Sequence, residues 1–294
     1  MVSPLSQGHL TLLDHCPRKF QYVYLEHQSA PVSWVQSQSA AWGTLLHRVL
    51  QQMELGLPVE PLLAHDPALA RSISALRQAA PHLFGGEGVV WRKSEHRRSL
   101  WFSLGDPEEV PLPKGEQADV GLAPGFGLVM VYDWIQVQAD GTIALVDWKT
   151  YQRIPPWEQL AHHWQTRLYL YGLAATTTYA PEALSLTYWF VAPPGTGESP
   201  QPQGMTFAYD RAQHQQIEAD LRDRLRQLHH WLHAYQTQGE PLPQLSPTAS
   251  ACSSCGFQDR CQRRSSPRTD TLGGRFPPLD LSPEALDRLL ASGV

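Results

Sequence analysis

The chain has 294 residues, 42% of them hydrophobic, with a formal net charge of −5 and four cysteines. That length supports one large domain or two small ones with a self-sufficient core, and no apolar run is long enough to span a bilayer. The negative balance excludes a basic nucleic-acid coat, so any contact with nucleic acid must be local.

Residues 9–25 read as a short aromatic-rich helix carrying Cys16, and residues 41–55, which include Trp42 and His47, as a second. Residues 66–80 look helical too. The period then changes. Residues 95–104 and 128–137 alternate as strands on either side of a Pro/Gly-rich loop at 105–127. Asp140-Gly141 predicts a hairpin turn into a strand at 142–148. Pro155-Pro156 opens a helix running to about 176, followed by strands at 184–191 and 204–209. Asp210 is the N-cap of a helix expected to reach about 236, whose stripe Ile217, Leu221, Leu225, Leu228 and Leu232 is core. Residues 237–250 hold three prolines and read as an extended strap. The tail beyond 265 carries only a short helix after Ser282-Pro283. Basic residues cluster at Arg92, Lys93, Arg97 and Arg98, and again at Arg260, Arg263, Arg264 and Arg268; on charge alone both are solvated faces.

The cysteines are unevenly placed. Cys16 stands alone near the start, and Cys252, Cys255 and Cys261 crowd near the end with C-x2-C-x5-C spacing. Their polar neighbours, Ser253, Ser254, Gln258, Asp259 and Arg260, argue against buried structural thiols. Met1 to Gly8 lacks the basic and apolar regions of a signal peptide, so a reducing cytoplasm is expected and metal binding is favoured over disulfides. Four thiolates suit a structural zinc or an iron–sulfur cluster, and the spacing alone leaves both open.

Two carboxylates fall on adjacent predicted strands, Asp133 in Val131-Tyr132-Asp133-Trp134 and Asp147 in Leu145-Val146-Asp147-Trp148-Lys149. A carboxylate in an apolar strand needs compensation, and Mg²⁺ or Mn²⁺ between two of them supplies it. Asp147 and Lys149, two apart on one strand, share a face. The competing view is a solvated Asp–Lys pair, which an isolated Asp-x-Lys usually is. On the next helix Gln165 and Tyr169 share a face, with Arg167 on the same helix. Such a face suits a phosphate or a base, or is simply amphipathic.

In order along residues 9–264, these features resemble the PD-(D/E)XK nuclease superfamily, and within it the iron–sulfur branch of AddB/RecB-like and CRISPR-associated exonucleases. The resemblance implies an α/β fold with the αβββαβ core, a mixed sheet flanked by helices. It implies one nuclease domain over 1–264, its two ends joined by the cluster, with 265–294 as a tail. Gly43-Thr44-Leu45-Leu46-His47 corresponds to the helix whose histidine ligates metal. By the same resemblance, His47, Asp133, Asp147 and the carbonyl of Trp148 hold Mg²⁺ or Mn²⁺, and Asp133, Asp147 and Lys149 are catalytic. Gln165, Arg167 and Tyr169 lie on the DNA path, and Glu95 has a supporting role. Cys16, Cys252, Cys255 and Cys261 hold a 4Fe–4S cluster. The implied activity is hydrolysis of DNA, foremost exonuclease action on single strands or ends in recombination or repair. The implied partners are DNA and a separate helicase subunit or CRISPR adaptation proteins, with no membrane. Two departures stand out: Met130 replaces the usual glycine three residues before the first acid, and no Walker-type loop is present. The rival readings are a catalytically silent DNA-binding partner and a zinc-stapled interaction protein.

Overall fold

A computed structural model describes residues 4–30, 34–105, 124–150, 153–191 and 201–263. Two compact units divide the chain, residues 1–246 and 247–294. The boundary falls ahead of the cysteine triplet. The expected helix after Ser282-Pro283 lies outside the described residues, as does most of the loop at 105–127.

In the larger unit a five-stranded mixed sheet has the order β1-β2-β3-β4-β5, formed by Val89–Ser103, Gly125–Gln138, Ile143–Lys149, Leu184–Phe190 and Gln203–Ala208. Neighbours are antiparallel except β3 and β4, which run parallel. Parallel neighbours need a crossover, supplied by two helices, α7 (Trp157–Ala161) and α8 (Trp164–Ala175). Helices α1 (Gln7–His15) and α2 (Pro17–Phe20) precede α3 (Trp34–Glu54), α4 (Glu60–His65), α5 (Pro67–Ala79) and α6 (Pro81–Phe84), and the 28-residue α9 is Arg211–Gln238. The result is an α/β fold with helices on both faces of the sheet.

The larger core lies between the sheet and α1, α8 and α9, and includes Leu128, Met130, Tyr132, Leu145, Leu168, Tyr188, Leu221 and Leu228. The smaller core packs Leu46, Val49 and Leu50 of α3, Leu69, Ile73 and Leu76 of α5, and Leu83 against Trp134, Val146, Trp148 and Trp189. The predicted α9 stripe is buried at all five positions, and Asp210 caps the helix by accepting from the Gln213 amide at 2.7 Å. The hairpin turn also forms as predicted, with Gly141 at a φ of 84°.

Two predicted helices are broken. Pro17 forces the residue before it out of the helical region, so Cys16 is extended (φ −166°, ψ 109°) and separates α1 from α2. A π-helical turn, Gln21–Leu25, follows. The helix expected from Pro155 stops at Ala161 and restarts at Trp164, with His163 extended (φ −68°, ψ 138°). No glycine or proline marks that second break. It matters because the restart aims the N-terminus of α8 at the site.

Candidate active site

Asp147 and Lys149 lie at the end of β3, and Asp133 lies on the neighbouring β2. The Trp148 amide donates to Asp133 Oδ2 at 2.9 Å, which fixes that carboxylate against the β3 backbone. Asp147 is only 2% exposed. Its Oδ2 lies 2.6 Å from Lys149 Nζ, and its Oδ1 accepts from Gln165 Nε2. Lys149 Nζ also donates to Gln165 Oε1 at 2.6 Å and sits 5.0 Å from the centre of the Tyr188 ring. Gln165 therefore bridges the acid and the lysine. It reaches them because α8 restarts nearby, where His163 Nδ1 caps the helix by accepting the Gln165 amide at 3.2 Å. Burial, with Lys149 nearby, lowers the pKa of His163 and favours this acceptor form.

From the other face of the sheet, α3 brings His47 over the same point. His47 Nε2 donates to the Trp148 carbonyl at 3.0 Å, and Nδ1 is 3.4 Å from Asp133 Oδ2. Burial works to lower the pKa of His47. Asp133 and Asp147, with the Trp148 carbonyl, outweigh it and hold the imidazole above its ordinary value. Asp147 is pushed up to about 7 by burial and by Asp133, against the opposing pull of Lys149. Tyr169, four residues from Gln165, borders the same pocket, and burial followed by the two aspartates raises its phenol well above its usual range. A tight group of one imidazole and several carboxylates, with Asp147 held above its ordinary value, marks a functional site.

Glu95 is the residue that sequence reasoning weighted too lightly. It stands on β1 between the ladder pairs Ser94–Trp134 and His96–Tyr132, where its φ is +48°. A non-glycine residue in the left-handed region inside a strand is strained. On β2 the chain changes face at the same level: Tyr132 packs in the larger core and Trp134, two residues on, in the smaller. This interruption turns Glu95 toward the site. Ligand atoms of His47, Glu95 and Asp133 all lie within 4.8 Å of one another. Burial, and then Asp133, raises the Glu95 pKa. Within the sequence its local signal is an acid in an otherwise basic strand; the family resemblance gave it only a supporting role.

Together these side chains line a cavity of about 440 Å³, wide enough for a phosphodiester and a cation. A model of the PD-(D/E)XK nuclease superfamily matches residues 4–262. The chain belongs to this superfamily. No curated protein matches it. Solved structures that match include the chain described as "Crystal structure of SSO0001", 13% identical, covering 89% of this chain and 87% of that one with a TM-score of 0.43, a likeness too loose to carry an argument.

In this superfamily member the structure gathers His47, Asp133, Asp147, Trp148, Lys149, Gln165 and Tyr169 around one cavity. Arg167 is not among them. It projects from the opposite side of α8, ion-pairs with Asp220 of α9 and lies 4.3 Å over the Trp164 ring. Met130 stands away from the cavity as well: it is 1% exposed, and its side chain fills the space that a Cβ on Gly172 would need. The methionine side chain therefore does not line the cavity. The basic cluster of β1 splits, since Arg92 lies over the Trp134 ring and Arg98 donates to the Thr176 carbonyl, leaving Lys93 and Arg97 exposed.

Cys16 belongs to the larger unit and Cys252, Cys255 and Cys261 to the smaller. All four are half-buried. Two of the sulfurs accept backbone amides, Cys16 from Lys19 at 3.4 Å and Cys255 from Phe257 at 3.5 Å.

Proposed function

We infer that the protein is a Mg²⁺- or Mn²⁺-dependent deoxyribonuclease, acting as an exonuclease on single-stranded DNA or DNA ends in recombination or repair. The observation that carries this reading is the convergence of Asp133, Asp147 and Lys149 with His47 and Glu95 in one cavity of a PD-(D/E)XK fold. Carboxylate oxygens with one imidazole are a donor set suited to Mg²⁺ or Mn²⁺. His47, Asp133, Asp147 and the Trp148 carbonyl would hold the ion, with Glu95 as a further carboxylate. When bound, the cation supplies Lewis-acid polarisation of the scissile phosphodiester and acidifies a water.

The protein's own groups do the rest. Lys149, held between Asp147 and Gln165, presents a fixed ammonium that orients the attacking water and offsets charge growing on the phosphoryl oxygens. Gln165 keeps that ammonium in place, and Tyr169 borders the strand. Low solvent access around Asp147 strengthens each of these interactions.

The cysteines support a second element of the reading, a 4Fe–4S cluster held by Cys16, Cys252, Cys255 and Cys261. Amides directed at two of the sulfurs match what cluster thiolates accept. Its role would be structural. With no Walker-type loop in the sequence, a separate helicase subunit or CRISPR adaptation proteins would supply unwinding.

A labelled single-stranded oligonucleotide incubated with Mn²⁺ tests the activity. Cleavage by the wild type, lost in Asp147→Ala and Lys149→Ala, is expected. No cleavage by the wild type, or undiminished cleavage by either variant, overturns it. Anaerobic purification tests the cluster: a colourless protein with stoichiometric zinc and no iron excludes it.

A further inference from the structure

Beyond the Glu95–Asp133 interruption, one face of the β1–β2 ribbon is largely open among the described residues, with Pro4 lying against Gly127 on its β2 side. The even residues, Phe102, Leu128, Met130 and Tyr132, pack in the larger core, and Arg98 reaches back to α8 on that side. The odd residues therefore point the other way. Arg97, Ser99 and Trp101 are exposed there, opposite Val131, Val129 and Gly127. Trp101 is 51% exposed and Val131 36%.

Trp101 is held in place. A Cβ on Gly125 would lie 2.8 Å from its Cε2 and 2.9 Å from its Cζ2, so the indole lies directly against the bare β2 backbone with part of its surface open. A tryptophan fixed in this way is a ready stacking surface with little freedom left to lose. Arg97, four residues nearer the site, makes no ion pair among the described residues. The face is continuous with the candidate active site, because Val131, the partner of Arg97, also lines that cavity. Trp101 is six residues from Glu95, about 20 Å along the strand.

We propose that this face is a track for a single nucleic-acid strand, on which Trp101 stacks a base several nucleotides from the scissile phosphate and Arg97 pairs with an intervening phosphate. The proposal rests on the nuclease reading and adds where the strand runs. An extended strand is the fitting occupant: the surface is narrow, couples one cation to one aromatic, and leads into a cavity suited to a phosphodiester.

The test uses the full chain and two probes. Binding of a fluorescent twelve-residue oligothymidylate is measured by anisotropy with chelator present. Hydrolysis of the p-nitrophenyl ester of thymidine 5′-monophosphate, which reaches only the cavity, is measured with Mn²⁺. Trp101→Ala is expected to weaken oligonucleotide binding about five- to 150-fold, the range of base–aromatic stacking, and more than it slows the small ester. Trp101→Phe recovers part of that affinity. Arg97→Gln lowers the salt dependence of binding by about one phosphate contact. Unchanged oligonucleotide affinity in Trp101→Ala overturns the track, as do failure of the wild type to bind and equal losses on both probes. A wild type that binds the oligonucleotide through Trp101 but hydrolyses neither substrate overturns the nuclease reading and leaves the track standing.

Discussion

Replacing Asp147 with Asn in chelator-treated protein tests whether the cavity is built to receive a cation. Asp147 is fully buried, and its carboxyl is pushed up to about 7 by burial and Asp133. In an unfolded chain an aspartate titrates near about 3.9. The sign follows from which state holds the proton more tightly. Here the folded state does, so this group's contribution to stability is fully present below about pH 4 and is lost as pH rises through about 7. At about 1.4 kcal/mol per pH unit the loss is on the order of 4 kcal/mol by pH 8. Asn mimics the protonated acid and can still accept from Gln165, so the variant escapes that loss. Thermal unfolding in EDTA at pH 4.5, 6 and 8 is therefore expected to show Asp147→Asn gaining on the wild type as pH rises, by roughly 5–10 °C at pH 8. Mn²⁺ then stabilises the wild type at pH 8 and helps the variant far less. A stability difference that stays flat with pH, or equal stabilisation of both by Mn²⁺, refutes the reasoning.

Three further outcomes are expected. Gly172→Ala sets a Cβ into Met130 Cε and Sδ, so it lowers stability by about 1–2 kcal/mol in spite of better helix propensity. In the Met130→Ala background the same change costs less, and a denaturant double-mutant cycle that came out additive would deny the contact. Asp210→Ala removes the cap of α9 and costs about 1 kcal/mol, read from the denaturation midpoint, with Asp210→Asn close to wild type. For the proposed 4Fe–4S cluster, Cys16→Ser or Cys261→Ser is expected to lower iron content and melting temperature first and cleavage only as a consequence; either variant that keeps its iron and melting temperature while losing cleavage contradicts a structural role for the cluster.

Much of this site was legible because its parts are close in the chain. Asp147 and Lys149 share a strand face through the two-residue strand period, Asp140-Gly141 brings β2 back beside β3, and Gln165 and Tyr169 meet through the helical repeat. The α9 stripe and its cap follow from the same local rules. Where a local signal was overlooked, it was still a local one: Pro17 dictates the break at Cys16.

What the tertiary structure alone decided has no such signature. The turn of Glu95 into the site depends on how β1 pairs with β2, and no spacing encodes a left-handed residue in a basic strand. The restart of α8 at Trp164 comes without glycine or proline, yet it sets Gln165 between Asp147 and Lys149. Arg167 stands outside the cavity and pairs with Asp220, 53 residues on, and Met130 packs into the space that Gly172 leaves on α8. Short-range periodicity specifies which residues share an element. Which of them meet across elements depends on packing and pairing between distant segments, and there the cavity and the open β1–β2 face were set.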